Sequence, residues 1–378
     1  MDLLRGVDCL DDVQVADYLE RRLAGAAVVQ LQAHLDECPG CLALVSQLAD
    51  PSVRAAPDGL RLGRTIASGG MGLIIEAYDT HLRRTIALKV PRTLDAGVRR
   101  RFEREVHVTA RLQHPAILPV YAAGTLGAGE PYYAMRLVDG QSLDAVIAAA
   151  SSLEARLPLL RVVTQVAGAI AYAHAQGVIH RDIKPANVLV GAFGEVVVID
   201  WGLARVVSEP DEDVGAGLAL GSPGPQLDGG EALTVDGAII GTPAYMAPEQ
   251  ARGEPATERA DVYALGALLY HVLRGVPPGR GAPADLASTT PGLPRDLVAI
   301  VHEAMAVEPT ARYASAAGLA ADLARFEAGR LVDAHRYTAW QLFRRWAARH
   351  RTALAVGGLL ATALGVTAFV ASPRSAKR

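Results

Sequence analysis

One short stretch of polar residues, HRDIKPAN from His180 to Asn187, constrains this chain more than any other. An apolar run from Val196 to Ile199 follows it and ends at an aspartate. Phosphoryl transfer needs a carboxylate that accepts a hydroxyl proton, a cation beside the moving group, and oxygen ligands for Mg²⁺. The stretch and its aspartate supply these types, and we predict one active site from Asp182 as base, Lys184 as cation, and Asn187 and Asp200 as metal ligands.

The scarcity of lysine and asparagine supports this prediction. The only lysines are Lys89, Lys184 and Lys377, and Asn187 is the only asparagine. Arginine supplies nearly every other positive charge, so a position that keeps lysine or asparagine is a candidate for chemistry that arginine cannot perform. Two of the three lysines and the asparagine fall in the predicted site.

A glycine-rich stretch lies between two predicted strands near residue 70. Glycines let backbone N–H groups approach and cradle phosphate oxygens. Downstream, Lys89 lies on a predicted strand and Glu105 on a predicted helix, a pair that positions the lysine on the α- and β-phosphates. The alternative for Glu105, if it had no lysine partner, is an ordinary charged residue on the solvent side of a helix. The predicted phosphate loop comprises Ala67, Ser68, Gly69, Gly70, Met71 and Gly72.

Composition bounds the alternatives. The chain has 378 residues, enough for two or three folded units, and 37 Lys and Arg balance 40 Asp and Glu. A formal net charge of -3 provides no overall basic field, so we expect no nucleic-acid partner. All three cysteines lie within the first 41 residues, which favours a metal in a reducing compartment over a disulfide framework.

Four further motifs follow the same pattern, namely His114-Pro115, GTPAYMAPE at 241–249, DVYALG at 261–266, and Arg312. Together with the residues above, they make residues 60 to 328 resemble the bacterial eukaryotic-like (Hanks-type) serine/threonine protein kinases. The resemblance implies an α+β bilobal kinase fold, with a β-rich small lobe and a helical large lobe. It also implies ATP with Mg²⁺ or Mn²⁺ as cofactors and transfer to Ser or Thr hydroxyls of proteins, including the kinase itself.

Residue roles follow from the resemblance. It implies that Glu249 pairs with Arg312, that Asp261 holds the catalytic-loop backbone, and that Lys184 with Thr242 favours Ser/Thr acceptors. Met135 would be the gatekeeper, and residues 136–138 the adenine-binding hinge. Outside the phosphate loop, the implied ATP-binding residues are Ile74, Ala87, Lys89, Met135, Leu137 and Leu189.

Three positions depart from the family pattern. Ala67 replaces the first glycine of the phosphate loop, Trp201 the usual phenylalanine after the metal-binding aspartate, and Arg136 a commonly acidic hinge residue. None of these changes removes a catalytic group. They bear on rate and nucleotide affinity.

The N-terminal sequence from His34 to Cys41, HLDECPGC, forms a second constellation. His34 and Cys38 share a helix face, and a Pro-Gly turn lets Cys41 open the next helix. With Cys9 as fourth ligand these residues form a predicted zinc site, and the alternative is a pair of ordinary helix cysteines. Apolar positions at helical spacing predict three short helices here, at 13–23, 28–35 and 41–48. Residues 9 to 49 resemble the zinc-finger domain of zinc-binding anti-sigma factors, which implies a sigma factor or another regulator as partner.

The last predicted element is a transmembrane helix. Thr352 to Pro373 contains no charged residue, and about 20 apolar residues span a bilayer core of about 30 Å; the alternative is a buried C-terminal helix. The start of the chain has no signal-peptide pattern, and ATP is cytoplasmic. We therefore expect a single-pass cell-membrane protein whose N-terminus and catalytic domain are cytoplasmic.

We predict six segments along the chain. They are the zinc module at 1–50, a linker at 51–58, the kinase domain at 59–328, a juxtamembrane segment at 329–351, the span at 352–371, and a tail at 372–378.

Activation is predicted to depend on Thr234. Arg181, beside the catalytic aspartate, calls for an anionic partner, and residues 206 to 233 form a predicted acidic, Gly- and Pro-rich surface loop that contains neither strand nor helix. Thr234 lies eight residues before Thr242, where the resemblance places the activating threonine. Membrane confinement and the small residues Gly357, Ala361 and Gly365 on one helix face favour a dimer, although an alanine-rich composition also explains them.

A rival from another class is a binding protein, namely an inactive kinase-fold scaffold that acts as a transmembrane anti-sigma-like regulator. A scaffold does not need its only asparagine at a metal position, which favours the enzyme.

Overall fold

A computed structural model provides the fold. It describes residues 57–69, 72–93, 95–126, 129–209, 244–279 and 286–371, and, in the N-terminal part, residues 10, 14, 17–18, 23, 26–38 and 40–42.

The N-terminal part contains helix α1, Ala26–Glu37. Its apolar side packs Leu31 and Leu35 against Leu10 and Cys41 in a small separate core. Residues 40–42 are again helical. The predicted second helix therefore lies within α1, whereas most residues of the other two predicted helices fall outside the described ranges.

The small lobe is an antiparallel sheet with one helix. Its strands follow the order β1-β2-β3-β5-β4, as the β-branched runs between glycines predict. Asp95 caps the helix by accepting hydrogen bonds from the backbone N–H groups of Gly97 and Val98. The elements are β1 Leu60–Gly69, β2 Gly72–Asp79, β3 Arg84–Val90, α2 Ala96–Arg111, β4 Val120–Thr125 and β5 Pro131–Arg136.

The large lobe is mainly helical and contains two small sheets, one of three strands and one of two. Its elements are β6 Gly140–Ser142, α3 Leu143–Ala149, α4 Leu153–Arg156, α5 Leu160–Ala175, β7 Val178–Ile179, β8 Val188–Gly191, β9 Val196–Val198, β10 Arg205–Val206, α6 Pro248–Ala251, α7 Glu258–Arg274, α8 Leu286–Thr289, α9 Arg295–Ala304, α10 Ala316–Glu327, α11 Ala339–Arg349 and α12 Arg351–Ala371.

Helix α7 forms the centre of the large lobe. It is buried from Ala260 to Leu273, so its sequence is apolar on nearly all sides, as expected for a helix surrounded by others. Thr257 caps its N-terminus, and Gly275 ends it with a φ of +80°, a conformation that glycine adopts without steric cost. Helices α5, α9 and α10 pack around it.

The packed large lobe extends past residue 328, where the kinase domain is predicted to end. Val332 is buried in the core, and Ala334 and Tyr337 pack against it. Asp322 anchors this segment, because its carboxylate accepts hydrogen bonds from the backbone N–H groups of Asp333 and Ala334. Residues 329 to 337 therefore belong structurally to the large lobe.

The chain then continues into α11 and α12. Thr338 caps α11 by accepting a hydrogen bond from the backbone N–H of Gln341, whose side chain accepts one from the Thr338 backbone N–H in return. Helix α12 has 21 residues and covers the segment predicted to span the membrane. Among the residues whose side chains the structure describes, which leave out 353 and 365–371 of α12, no helix is both long and apolar enough to cross a membrane.

The predicted bilobal α+β fold is confirmed. One detail of the prediction is wrong, since residues 206 to 233 were expected to contain no strand. Val206 is the second residue of β10 and pairs with Val178 of β7. The two-residue strand arises because Val206 is apolar and buried, whereas Ser208 and Glu209 are polar and exposed.

Candidate active site

A buried ion pair links the small-lobe sheet to α2. Lys89 Nζ on β3 donates to Glu105 Oε1 at 2.6 Å and to Oε2 at 2.7 Å. The hydroxyl of Tyr133 on β5 also donates to Glu105 Oε1, at 2.7 Å. Burial, and then the neighbouring Glu105 carboxylate, raises the pKa of Tyr133 well above its ordinary value, so the hydroxyl remains a donor. The predicted pair is therefore formed, with a third member that sequence reasoning missed.

The catalytic-loop residues converge on Asp182. Lys184 Nζ donates to Asp182 Oδ2 at 2.8 Å. The amide nitrogen of Asn187 donates to the same Oδ2 at 3.0 Å and to the Asp182 backbone carbonyl at 2.8 Å. With its nitrogen used in this way, Asn187 keeps its amide oxygen for another ligand. The structure thus brings together three residues predicted from the sequence.

Asp261, at the start of α7, holds the backbone of this loop. Its carboxylate accepts hydrogen bonds from the backbone N–H of His180 at 2.8 Å and of Arg181 at 2.9 Å. His174 Nε2 lies 2.8 Å from the same carboxylate. Burial raises the pKa of Asp261, but the hydrogen bond and charge of His174 outweigh that effect, and the pKa lies below its ordinary value. A charged Asp261 fixes the loop in place, in agreement with its predicted structural role.

Two non-glycine residues of the site have left-handed backbone conformations, Arg181 with a φ of +69° and Asp200 with a φ of +66°. Such conformations cost of order 1–3 kcal/mol and persist where the surroundings impose them. Contacts on both sides of the Arg181 Cα impose the first. Asp261 accepts hydrogen bonds from the N–H groups of His180 and Arg181, and the Gln250 side chain donates to the Arg181 carbonyl.

Asp200 faces the lysine from the opposite side of the cleft. Its Oδ1 is buried, has no hydrogen-bond partner among the described residues, and lies 4.0 Å from Lys89 Nζ. The backbone N–H of Ile199 donates to the Asn187 carbonyl at 2.9 Å, so the two predicted metal ligands lie on directly bonded segments. An unpartnered carboxylate oxygen and an amide oxygen are hard ligands that fit Mg²⁺ or Mn²⁺.

The residues predicted to surround adenine lie in one apolar cluster. Ala87 and Met135 are buried and face each other across β3 and β5. Three partly buried side chains pack against the same cluster, namely Ile74, Leu137 and Leu189. An apolar slot of this kind suits the flat face of a purine.

The phosphate loop joins β1 to β2, with Ala67 paired to Ile74, Ser68 to Leu73, and Gly69 to Gly72. A Cβ atom on Gly72 would lie 2.3 Å from the Val90 carbonyl oxygen, so only glycine fits there. Gly70 and Met71, at the tip of the predicted loop, lie outside the described residues.

Trp201, one of the departures from the family pattern, is buried and packs against the imidazole of His180, with ring centroids 4.5 Å apart. It fills the space beside the catalytic loop as an aromatic residue is expected to. Arg136, at the predicted hinge, is half-buried.

A second buried ion pair lies deep in the large lobe, between Glu249 of α6 and Arg312. Arg312 donates to both carboxylate oxygens, at 2.6 and 2.8 Å. Its remaining N–H groups donate to three backbone carbonyls, those of Arg259, Ala306 and Val307. The pair implied by the family resemblance is present.

The N-terminal part holds the second candidate site. His34, Cys38 and Cys41 place one ligand atom each within 4.8 Å of one another. His34 Nε2 is buried without a hydrogen-bond partner in the described part of the chain. One imidazole and two thiols fit a zinc ion. Cys9, the predicted fourth ligand, lies outside the described residues.

The predicted phosphosite Thr234 and the predicted specificity residue Thr242 also lie outside the described residues. Sequence reasoning missed three contributors to the site, which are Tyr133, His174 and Gln250. The last of these donates to the Arg181 carbonyl at 3.2 Å. No sequence signal identified Tyr133, because only the pairing of β3 with β5 places it directly opposite Lys89.

Comparisons with known proteins agree with this geometry. Residues 60–304 match the family model described as "Protein kinase domain". Residues 14–42 match the one described as "Putative zinc-finger".

Similar proteins include two bacterial serine/threonine-protein kinases. The chain is 33% identical to PknD of Protochlamydia amoebophila over 72% of its own length and 30% of the relative. It is 35% identical to PknB of Mycobacterium tuberculosis over 73% of its own length and 44% of the relative. The chain thus spans less than half the length of these relatives.

A solved structure, the kinase domain of PknI from Mycobacterium tuberculosis, is 28% identical with a TM-score of 0.53. The match covers 72% of this chain and 97% of that one. From the ion pair in the small lobe, the catalytic loop and these similarities, we conclude that the chain belongs to the protein kinase family.

Proposed function

We propose that this chain is a serine/threonine protein kinase, which transfers the γ-phosphoryl group of ATP to Ser or Thr hydroxyls of proteins, including its own. The observation that carries the proposal is the position of Lys89 Nζ, bonded to Glu105 and 4.0 Å from Asp200. This lysine connects the phosphate side of the cleft to the metal side, as phosphoryl transfer requires.

Each residue of the site has its own role in the transfer of the γ-phosphoryl group. Lys89 is held by Glu105, whose carboxylate accepts a further hydrogen bond from Tyr133, and binds the α- and β-phosphates. Asp182 orients the acceptor hydroxyl and accepts its proton as the oxygen attacks the γ-phosphorus, and the bond to the ADP oxygen breaks. Lys184, 2.8 Å from Asp182, offsets the negative charge that spreads over the moving group.

Asn187 and Asp200 would hold the divalent metal. When bound, that ion neutralises charge on the β- and γ-phosphate oxygens and on the leaving ADP. The proton of the acceptor hydroxyl is still taken by Asp182.

The test is phosphate transfer by purified full-length chain with labelled ATP and Mg²⁺. Asp182→Asn keeps the side-chain shape but removes the base, so we expect the labelling rate to fall about 10²- to 10⁴-fold. Asp333→Asn, which changes an exposed carboxylate of the large lobe, is the control and should label normally. A silent wild-type chain that binds a sigma factor tightly would instead support the scaffold function.

We further propose that the N-terminal part binds one zinc ion through His34, Cys38 and Cys41, with Cys9 as the fourth ligand. The close approach of the three described ligand atoms supports this. Metal analysis should find about one zinc per chain, lost in Cys41→Ser. A regulator such as a sigma factor is the partner that we propose for this module.

Autophosphorylation is proposed to occur at Thr234, whose position in the sequence supports it. Mass spectrometry of active kinase should find phosphate there, and Thr234→Ala should lower activity. Full activity in that variant would exclude Thr234 as the activating site.

Finally, we propose that the protein is anchored in the cell membrane by the segment 352–371, with the kinase in the cytoplasm and two copies associating through this segment. The uncharged sequence and the helical conformation of α12 support the anchor.

A further inference from the structure

We propose that helix α11 lies in the headgroup region of an anionic bilayer, with its aromatic side chains inserted, and so fixes the orientation of the kinase domain at the membrane. The inference rests on the proposed membrane anchor and adds a second contact to it. The aromatic face of α11 is defined here as Trp340, Phe343 and Trp346.

The aromatic face is exposed. Trp340 is 69% accessible, Phe343 53% and Trp346 51%. Their rings form a continuous stack, with centroids 5.6 Å apart between Trp340 and Phe343 and 6.1 Å apart between Phe343 and Trp346. Three adjacent aromatic side chains in water are unfavourable, and such exposed patches mark interaction surfaces.

The opposite side of α11 is attached to the kinase domain. Arg345 donates a hydrogen bond to Asp296 at the start of α9 and lies over the ring of Tyr337, 4.9 Å from its centroid. At about 100° per residue, Arg345 lies roughly 160° around the helix from Phe343. The helix is therefore held to the large lobe by one side, and its aromatic face points away from it.

Charge identifies the partner as an anionic lipid surface. No aspartate or glutamate occurs from residue 334 to residue 378, whereas Arg344, Arg345, Arg349 and Arg351 lie in or directly after α11. Basic residues beside an apolar helix face are typical of helices that lie in a bilayer interface. A protein partner would not require this one-signed charge.

Position in the chain supports the same partner. Helix α12 begins at Arg351, two residues after α11 ends. Where the following segment enters the bilayer, the C-terminal end of α11 must lie within a few ångströms of its surface. Tryptophan is enriched at this depth because its ring is apolar and its N–H remains hydrated.

The protein provides its own probe, since its three tryptophans are Trp340, Trp346 and the buried Trp201. In a Trp201→Phe background all emission comes from α11. We would reconstitute the full chain into vesicles of phosphatidylcholine and phosphatidylglycerol, with and without brominated acyl chains. We expect several-fold quenching by the brominated lipid, and markedly less in vesicles of phosphatidylcholine alone.

Two matched variants each add one carboxylate to α11. Phe343→Glu places it in the aromatic face and should abolish the quenching. Gln341→Glu places it on the opposite side and should preserve the quenching. Retained ATP-dependent labelling in both variants shows that the kinase domain is folded.

The outcomes separate the inference from the anchor. Vesicle flotation without quenching overturns the inference and leaves the anchor intact. A tryptophan emission that changes with the number of protein chains per vesicle but not with brominated lipid shows that a second copy covers the aromatic face. This result also overturns the inference. A chain that does not float with vesicles overturns both.

Discussion

The ion pairs Lys89–Glu105 and Arg312–Glu249 are both buried, but they differ in how completely their cations are used. Arg312 directs all five of its N–H groups to Glu249 and to three backbone carbonyls. Lys89 has three N–H groups and makes two hydrogen bonds to Glu105. A saturated cation can only hold structure together, whereas Lys89 still has capacity for a phosphate oxygen.

Their surroundings differ in the same way. Arg312 is enclosed by the large lobe and lies beneath the ring of Tyr263, 5.0 Å from its centroid. Lys89 borders a cleft on whose far side Asp200 is partly exposed. Burial of an ion pair therefore does not by itself show whether the pair serves stability or catalysis. The number of N–H groups that the cation leaves without a hydrogen bond distinguishes the structural pair from the catalytic one.

The largest expected effect on stability comes from Arg312→Met. This change leaves Glu249 buried without a cation, which costs about 3–5 kcal/mol. We expect the urea midpoint of the kinase domain to fall sharply. Arg252→Met, which removes an exposed pair with Glu254, is the control and should cost no more than about 1 kcal/mol. Equal losses in the two variants would contradict the structural role of Arg312.

A smaller effect is expected from Tyr133→Phe. It removes one hydrogen bond to the charged Glu105, which costs about 1.5–3 kcal/mol. Because Glu105 then holds Lys89 less firmly, the KM for ATP should rise. Tyr132→Phe, at the preceding position on the other face of β5, is the matched control and should leave KM unchanged. An unchanged KM in Tyr133→Phe would remove Tyr133 from the site.

The smallest expected effect is a change in the pH dependence of stability, and it concerns Asp261. Because its pKa is lowered in the folded state, its contribution to stability is complete above the ordinary value of 3.8 and is lost as the pH falls through the folded value. Stability measured against pH should therefore fall less steeply below about pH 4 in Asp261→Asn than in the wild type. The same slope in both proteins would show that folding does not lower the pKa of Asp261.

The sequence predicted those parts of the site that are encoded locally. Asp182, Lys184 and Asn187 lie within six residues, and the chemistry of their side chains restricts what such a stretch can do. Lys89 and Glu105 were predictable because Lys89 lies in a short apolar run that is typical of a strand and Glu105 in a helix with a clear period.

The remainder depends on contacts between distant segments. Tyr133 reaches Glu105 across 28 positions of sequence, and only the pairing of β3 with β5 brings it there. The packing of Val332 beyond the predicted domain end depends on Asp322, whose partners in residues 329 to 337 are backbone N–H groups that no side-chain pattern reveals.

The most direct test of the central claim compares Lys89→Met with Arg312→Met in the same two measurements, ATP-dependent labelling and urea unfolding. We expect Lys89→Met to abolish labelling and to lose less stability than Arg312→Met. Glu105 keeps the Tyr133 hydrogen bond, and Lys89 gives up two hydrogen bonds where Arg312 gives up five. Near-normal labelling by Lys89→Met, or a larger loss of stability than in Arg312→Met, would contradict that claim.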